Sequence, residues 1–365
     1  MKLRLGAVAL TGALALTGCG SDDNSRLPGA LDFSLDQLRC GPGGTLLASG
    51  SSAQANAMEV WVNTYQTNCA GSQVNYKATG SGAGVQEFLQ GNTAFAGSDT
   101  PLSVAEIEES RSVCGDGGRA VNLPMVAGPI AVGYNLPGVD DLVLDAETLA
   151  LVFDSRITRW NDSAIQRLNP DTELPDRPIT PFHRSDGSGT TENFTGFLHA
   201  AAPDAWPHEP DKAWRGRGGQ AADGSSGLVG QVQQSPGSIA YFELSYAHRN
   251  DIATARLDTG AGRPVAATVE HAERAVAEAR VVGRGGDLAL ELDYTATADD
   301  AYPIVLVTYE IVCDRGNEPE TLALTRAFLR YTASDEGQRA LAEIDYAPIA
   351  DRIIDQVRER VDALA

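Results

Sequence analysis

Lysine is nearly absent. Of 28 basic residues only Lys2, Lys77 and Lys212 are lysines, and 49 acidic residues leave this 365-residue chain with a formal charge of −21. Binding a phosphodiester backbone depends on many cations neutralising it, so a chain this acidic excludes a nucleic-acid partner and does not adhere to an anionic membrane surface by charge. No Gly-Lys pair occurs anywhere, which removes a nucleotide P-loop. The stretch closest to a dinucleotide fingerprint, Gly80-Ser81-Gly82-Ala83-Gly84-Val85, has valine in the last glycine position. The five histidines, His183, His199, His208, His248 and His271, are scattered without ligand spacing, and no Cys-x-x-Cys occurs, so no metal site is expected. Gly187-Ser188-Gly189 lacks the spacing of a nucleophile elbow, and His183, Asp186 and Ser188 lie too close along the chain to form a triad. Internal repeats and long low-complexity tracts are also missing.

What remains is an ordinary globular composition, 42% hydrophobic and 21% charged, at a length that favours more than one lobe. Lys2 and Arg4 precede a short apolar run, LGAVALTGALAL, that ends in Leu16-Thr17-Gly18-Cys19. A basic start, an apolar segment too short to span a bilayer and a small-residue cleavage site make an export signal over residues 1–18. The Leu-Thr-Gly-Cys ending resembles the bacterial lipobox, which implies acylation of Cys19 and attachment to a membrane through lipid alone. Residues 19–43 are polar and punctuated by proline and glycine, as a tether would be. Cys40, Cys69, Cys114 and Cys313 then form an even set in an exported chain, read as two disulfides with three pairings open.

Strand-like runs alternate with helical ones: GTLLASG, AQANAMEVWVNTYQ, QVNYKATG, AGVQEFLQG, and late in the chain the apolar run YPIVLVTYEIV before PETLALTRAFLRYTAS. The pattern predicts an α/β fold with mainly parallel sheets, in which ligands collect where strands lead into helix N-termini. Three such junctions share a character: Ala48 to Ala53, Ala78 to Gly84, and His183 to Thr190, each rich in serine and glycine. Glycine admits close backbone approach, serine supplies a hydroxyl, and the helix start adds unpaired N–H groups and positive dipole. Together these make an anion site, and Arg184 adds a guanidinium.

Arg184-Ser185-Asp186-Gly187-Ser188-Gly189-Thr190 resembles the Arg-x-Asp-Gly-Ser-Gly-Thr signature of the substrate-binding proteins of bacterial phosphate-specific ABC transporters. The blocks Val74-Asn75-Tyr76 leading to Gly80-Ser81-Gly82-Ala83-Gly84-Val85, Gly97 to Ser103, Arg156 to Asp162 and Pro236 to Tyr241 are similar to that family in the same order, covering roughly residues 44 to 355. The resemblance implies a type II periplasmic-binding-protein fold: two α/β lobes, each a mainly parallel sheet flanked by helices, joined by a two-stranded hinge. Lobe one is then 44–128 with 303–365, lobe two 129–302, with crossings near Val126 to Gly133 and near Tyr302-Pro303.

The same resemblance implies a phosphate site of Ser52, Ala53, Ser81 and Asp99 from lobe one and Arg184, Ser188, Gly189 and Thr190 from lobe two, with Asp186 bracing Arg184. The family pattern has threonine and a bulky residue where Ser52-Ala53 stands; the hydroxyl and the backbone N–H are kept. It further implies disulfides Cys40–Cys69 and Cys114–Cys313, a permease partner, a monomer and no cofactor. A positioned nucleophile with its base is not in this set, which points to binding and release, not catalysis. The alternatives are a binding protein for sulfate or molybdate, which should lack a pocket carboxylate such as Asp99, and a secreted phosphoester hydrolase, which needs a metal set or an activated nucleophile.

Overall fold

The computed structural model describes residues 38–277, 279–295 and 300–365. The export signal, Cys19 and most of the expected tether lie outside the described residues. Strand and helix alternate as the pattern predicts: β1 (Gly44–Gly50), α1 (Ala55–Asn68), β2 (Ser72–Lys77), α2 (Ser81–Leu89), β3 (Phe95–Ser98) and α3 (Val104–Glu109) precede the long β4 (Ala120–Asn135). The middle of the chain forms β5 (Val143–Asp145), α4 (Ala146–Phe153), α5 (Ser163–Leu168), β6 (Thr180–Arg184), α6 (Gly189–Ala201), β7 (Gln220–Ala222), α7 (Gly224–Gln234), β8 (Ser238–Glu243) and α8 (Leu244–Arg249). Then come the short β9 (Ala253–Thr254) and β10 (Arg256–Asp258), α9 (Val269–Val276), and the short β11 (Arg280–Val281) and β12 (Leu290–Glu291). The chain ends with β13 (Val305–Cys313), α10 (Pro319–Thr332), α11 (Asp335–Ala342) and α12 (Asp351–Asp362).

The main sheet runs β2-β1-β3-β13-β4-β8-β6-β7. At one end β1 is parallel to β2 and β3, and at the other β6 is parallel to β7 and β8. Between them β13 and β4 run antiparallel to each other and to their outer neighbours. β4 is shared: Ala120 to Pro129 pair with β13, and Ile130 to Asn135 pair with β8. Its two prolines sit where the ladder can lose an N–H, Pro124 beside the register shift at Thr308/Tyr309 and Pro129 where the strand changes partner.

Two hydrophobic cores follow from this division. The first gathers Leu46, Trp61, Phe95, Val121, Ile311, Phe328 and Val357; the second gathers Ile130, Leu149, Phe153, Trp160, Phe194, Leu228 and Phe242. α1 shows why the segments fold as they do: Ala57, Met58, Trp61 and Tyr65 fall on one helical face and are buried there. The chain passes between the cores at Ala127 to Ile130, between Ala267 and Ala272, and again at Ala301 and Tyr302.

Residues 129–302 do not all share one core. Ala272, Ala275 and Val276 of α9, with Leu288 and Leu290 after it, pack in the first core, because α9 lies against β4 and β13. Its apolar positions at i, i+3 and i+4 say that one face is buried without saying against which half.

The disulfides are Cys40–Cys69 and Cys114–Cys313, the pairing that the resemblance implied. The chain is already fastened before residue 43: Leu38 packs on the first core, Cys40 is bridged, and Gly41 N–H donates to the Tyr65 hydroxyl at 3.0 Å. Among the described residues no helix is long and apolar enough to cross a membrane.

Candidate anion-binding site

Four helix starts converge where the two cores meet. Ser52 and Ala53 lead into α1, Ser81 opens α2, Gly189 and Thr190 open α6, and Gly224 and Ser225 open α7. Close backbone approach is built in. Gly82 N–H donates to Gly187 C=O at 2.8 Å across the two halves. A Cβ on Gly189 would stand 2.8 Å from both Asp99 Cβ and Ser81 Oγ, and one on Gly80, whose φ is +89°, would stand 2.2 Å from Asp186 Oδ2. Helix N-termini carry unpaired N–H groups and positive dipole, so their convergence favours an anion.

Arg184, at the end of β6, is 2% exposed. Its Nε donates to Asp186 Oδ1 at 2.7 Å and its Nη2 donates to Asp186 Oδ2, a fork-to-fork pair between residues two apart. Asp186 also accepts from Gly224 N–H at 3.2 Å. Burial pushes the Asp186 carboxyl up, but the Arg184 hydrogen bond and charge, with the Gly224 amide, more than offset it and hold the group below the usual carboxylate range. The guanidinium is thus fixed in place, with Nη1 not committed to Asp186.

Asp99 follows β3 and is 2% exposed. Four hydroxyls from four segments point at it: Ser51 Oγ and Thr308 Oγ1 (2.9 Å) donate to Oδ1, and Thr190 Oγ1 (2.9 Å) and Ser81 Oγ (3.5 Å) to Oδ2. Asn193 Nδ2 adds a bond to the Asp99 carbonyl at 2.8 Å. Asp99 is not the cap of α3; that cap is Ser103, which forms a capping box with Glu106.

Ser52 Oγ accepts from Ser225 N–H at 3.0 Å and lies 3.0 Å from Ser225 Oγ, and the Tyr246 hydroxyl donates to Ser52 C=O at 2.7 Å. Ala53 N–H, expected to face the anion, donates at 3.0 Å to Ser51 Oγ, because that hydroxyl folds back over its own turn. Ser188 Oγ caps α6 by accepting from Thr191 N–H at 3.1 Å. All eight expected contact residues therefore gather at one place, with Asp186 behind Arg184.

Sequence reasoning missed Ser51, Asn193, Gly224, Ser225 and Thr308. Asp223-Gly224-Ser225-Ser226-Gly227 carried a usable signal, being a fourth serine- and glycine-rich stretch at the start of a helix. His183, Asp186 and Ser188 each have other partners. His183 Nδ1 meets the Arg184 carbonyl at 3.0 Å while its ring stacks on Trp214 at 4.8 Å, Asp186 is held by Arg184, and Ser188 caps its helix. Burial lowers the His183 pKa, which keeps the imidazole neutral at pH 7. Beside Asp99 opens a cavity of about 560 Å³ lined by Thr100, Glu106, Glu192, Lys212 and Tyr294. Lys212 Nζ stands 3.7 Å from Glu106 Oε1, a pair that joins the loop before β7 to α3.

A family profile described as the PBP superfamily domain matches residues 41–336. The phosphate-binding protein PstS 3 of Mycobacterium tuberculosis is 43% identical over 373 residues, covering 100% of both chains. The phosphate-binding protein PstS of Haemophilus influenzae is 30% identical, over 87% of this chain and 92% of its own. Among solved structures, a high-affinity periplasmic phosphate-binding protein with phosphate bound superposes with a TM-score of 0.70 at 22% identity, over 87% of this chain and 93% of that one. The chain belongs to the PBP superfamily and, within it, to the family of the bacterial phosphate-binding proteins.

Proposed function

We propose that the protein binds one inorganic phosphate between its two halves, outside the cytoplasm, and delivers it to the permease of an ABC importer. The observation that carries this reading is the pairing of a fixed guanidinium with a buried carboxylate. Arg184, held by Asp186, and the helix starts at Ser52, Ser81, Gly189 and Thr190 supply donors for oxyanion oxygens. Asp99 supplies an acceptor, which only a protonated oxyanion can use. The relatives, one of them matching along the whole chain and the other over 87% of it, are phosphate-binding proteins, which supports binding and release over hydrolysis.

Lobe one is 44–128 with 303–365, joined by the 269–290 segment that shares its core, and lobe two is the remainder of 129–302. Ser52, Ala53, Ser81 and Asp99 bind from the first, and Arg184, Ser188, Gly189 and Thr190 from the second. The acidic surface does not oppose this, since distant charges are screened over about 8 to 10 Å at physiological salt. The Leu16-Thr17-Gly18-Cys19 ending supports anchoring through acylated Cys19.

Native mass spectrometry tests the core of the reading. The purified protein should carry one phosphate, lose it on exhaustive dialysis, and regain it on addition of phosphate but not of sulfate. A protein that never retains phosphate would overturn it. For the anchor, Cys19→Ser should release the protein from membranes or leave the precursor uncleaved, and recovery of unmodified wild type in the soluble fraction would count against it.

A further inference from the structure

β13 is an apolar strand with one acid in it. Glu310 is 0% exposed, and both its carboxylate oxygens lack a hydrogen-bond partner among the described residues. Across the sheet it faces Gly97 on β3 and Leu123 on β4, neither of which offers a polar side chain. Opposite residues of an antiparallel pair project to the same face, so the side that Gly97 leaves empty is the side Glu310 occupies. A Cβ on Gly97 would fall 2.0 Å from Gln54 Nε2 and 2.5 Å from the Tyr76 hydroxyl. The missing side chain thus makes a slot in which the Gln54 amide lies between Tyr76 and Glu310.

The donors in that slot are committed in one direction. The Tyr76 hydroxyl donates to Ser51 C=O at 2.9 Å, so its oxygen must accept, and Gln54 Nε2 donates to it at 3.0 Å. That orientation leaves Gln54 Oε1 without a donor, and it has none among the described residues. One proton on Glu310 supplies a donor for Gln54 Oε1 and removes an unpaired buried charge, two costs that would otherwise stand together. Two residues earlier on the same face, Thr308 donates to Asp99 at 2.9 Å. Glu310 therefore sits behind the anion site, connected through Gln54, Tyr76 and Ser51 to the loop that opens α1.

We propose that Glu310 is a positioning residue for the phosphate site, protonated while the Ser51 to Ala53 loop is set for the ligand, and that its ionisation undoes this setting. The inference rests on the phosphate reading above. An ionised Glu310 cannot donate to Gln54 Oε1. The carboxylate then draws the Gln54 N–H toward itself and away from the Tyr76 oxygen, and Tyr76 and the Ser51 carbonyl lose their fixed relation. The new charge also stands behind Asp99 and a bound phosphate dianion. Burial, opposed in part by the Gln54 amide and helped by the Asp99 charge, raises the group to about 8. The titratable groups facing it are Asp99 and Tyr76, and Tyr76 is itself raised well above its ordinary value, first by burial and then by Glu310. The protein should thus bind phosphate best below the Glu310 range and lose affinity above it.

Calorimetric titration of the full mature protein with phosphate, from pH 7 to about 9.5, on wild type, Glu310→Gln and Glu310→Met, tests this. Phosphate's own ionisation acts equally on all three and cancels in their ratio. The wild-type Kd should rise by about fivefold or more relative to either variant across that range, since full coupling gives about tenfold per pH unit. At the alkaline end the wild type should also take up protons on binding, read from titrations in two buffers of different ionisation enthalpy. Parallel curves for the three proteins overturn the proposal. If neither variant folds, the wild type decides alone: binding without proton uptake overturns it. Tight binding at pH 7 with parallel curves leaves the phosphate reading standing, whereas no binding at pH 7 removes both.

Discussion

Thr190 Oγ1 donates to Asp99 Oδ2 at 2.9 Å although the two residues come from different halves of the molecule. Asn193, one turn further along α6, donates to the Asp99 backbone carbonyl at 2.8 Å. The first turn of α6 is thereby seated on the loop after β3, and the carboxylate is both a wall of the pocket and part of what holds the halves together. A ligand that hydrogen-bonds to Asp99 must join or replace one of four hydroxyls. Ser81, at 3.5 Å, makes the longest of these contacts and the one most easily given up.

Gly189→Ala tests how close that seating must be. The added methyl would stand 2.8 Å from Asp99 Cβ and from Ser81 Oγ and 3.0 Å from the Asp99 backbone nitrogen; the Ser81 hydroxyl can rotate away, but Asp99 cannot without a shift of its loop. Alanine suits the first turn of a helix, so the fold should survive. Phosphate affinity should fall at least tenfold, about 1.4 kcal/mol. Small-angle scattering with phosphate should show a more extended particle than wild type. An alanine variant with wild-type affinity would mean that the halves need not approach this closely.

Asp186→Asn addresses the guanidinium. An amide has one acceptor oxygen where the carboxylate has two, and would turn its own N–H toward one of the Arg184 donors. The Kd for phosphate should rise about tenfold or more. The acid branch of stability gives a second readout. The folded-state pKa of Asp186 is depressed, so the ionised group contributes stability above its unfolded value, and this is lost as pH falls through the folded one. Urea unfolding should therefore show wild type weakening below about pH 4 more steeply than the variant. Identical acid profiles would show that the pair does not stabilise the fold.

The disulfides close chain segments 29 and 199 residues apart, and both lie at the first core. Each should contribute about 2 to 4 kcal/mol by restricting the unfolded chain, the longer loop somewhat more. Reduction should lower the denaturation midpoint in two steps while phosphate binding persists, because neither bridge touches the site. Four alkylatable thiols in the unreduced protein would contradict the bridges.

Much of this was legible in the sequence because it is local. Arg184, Asp186 and Ser188 stand within five positions, and a strand end, a carboxylate two residues on and a helix cap can be read without knowing the rest of the chain. Ser225 is different: its partner Ser52 is 173 positions away, and no periodicity connects them. The packing of α9 in the first core cannot be read from its sequence for a related reason, since an amphipathic face names no partner. Glu310 was invisible in YPIVLVTYEIV because the slot that receives it is made by a missing side chain, that of Gly97, on another strand.

Selectivity rests on Asp99. At neutral pH phosphate and arsenate keep a proton and sulfate does not, so a buried carboxylate accepts a hydrogen bond from the first two and repels the third. An acceptor left facing an acceptor costs about 1 to 3 kcal/mol, and more when both are charged. The wild type should prefer phosphate over sulfate by about two orders of magnitude or more, a difference of about 2.7 kcal/mol. Arsenate should compete with phosphate. In Asp99→Asn the side chain keeps one acceptor for Ser51 and Thr308 or for Thr190, and gains an N–H that sulfate can use. Phosphate should weaken, sulfate should strengthen, and the preference should shrink about tenfold or more. Since Asp99 also seats α6, loss of phosphate binding alone would not separate a filter from a brace; the gain of sulfate binding does. Calorimetric titration of both proteins with all three anions reads it directly. An Asn variant with an unchanged ratio, or a wild type that binds sulfate as tightly as phosphate, would show that the carboxylate is not the filter.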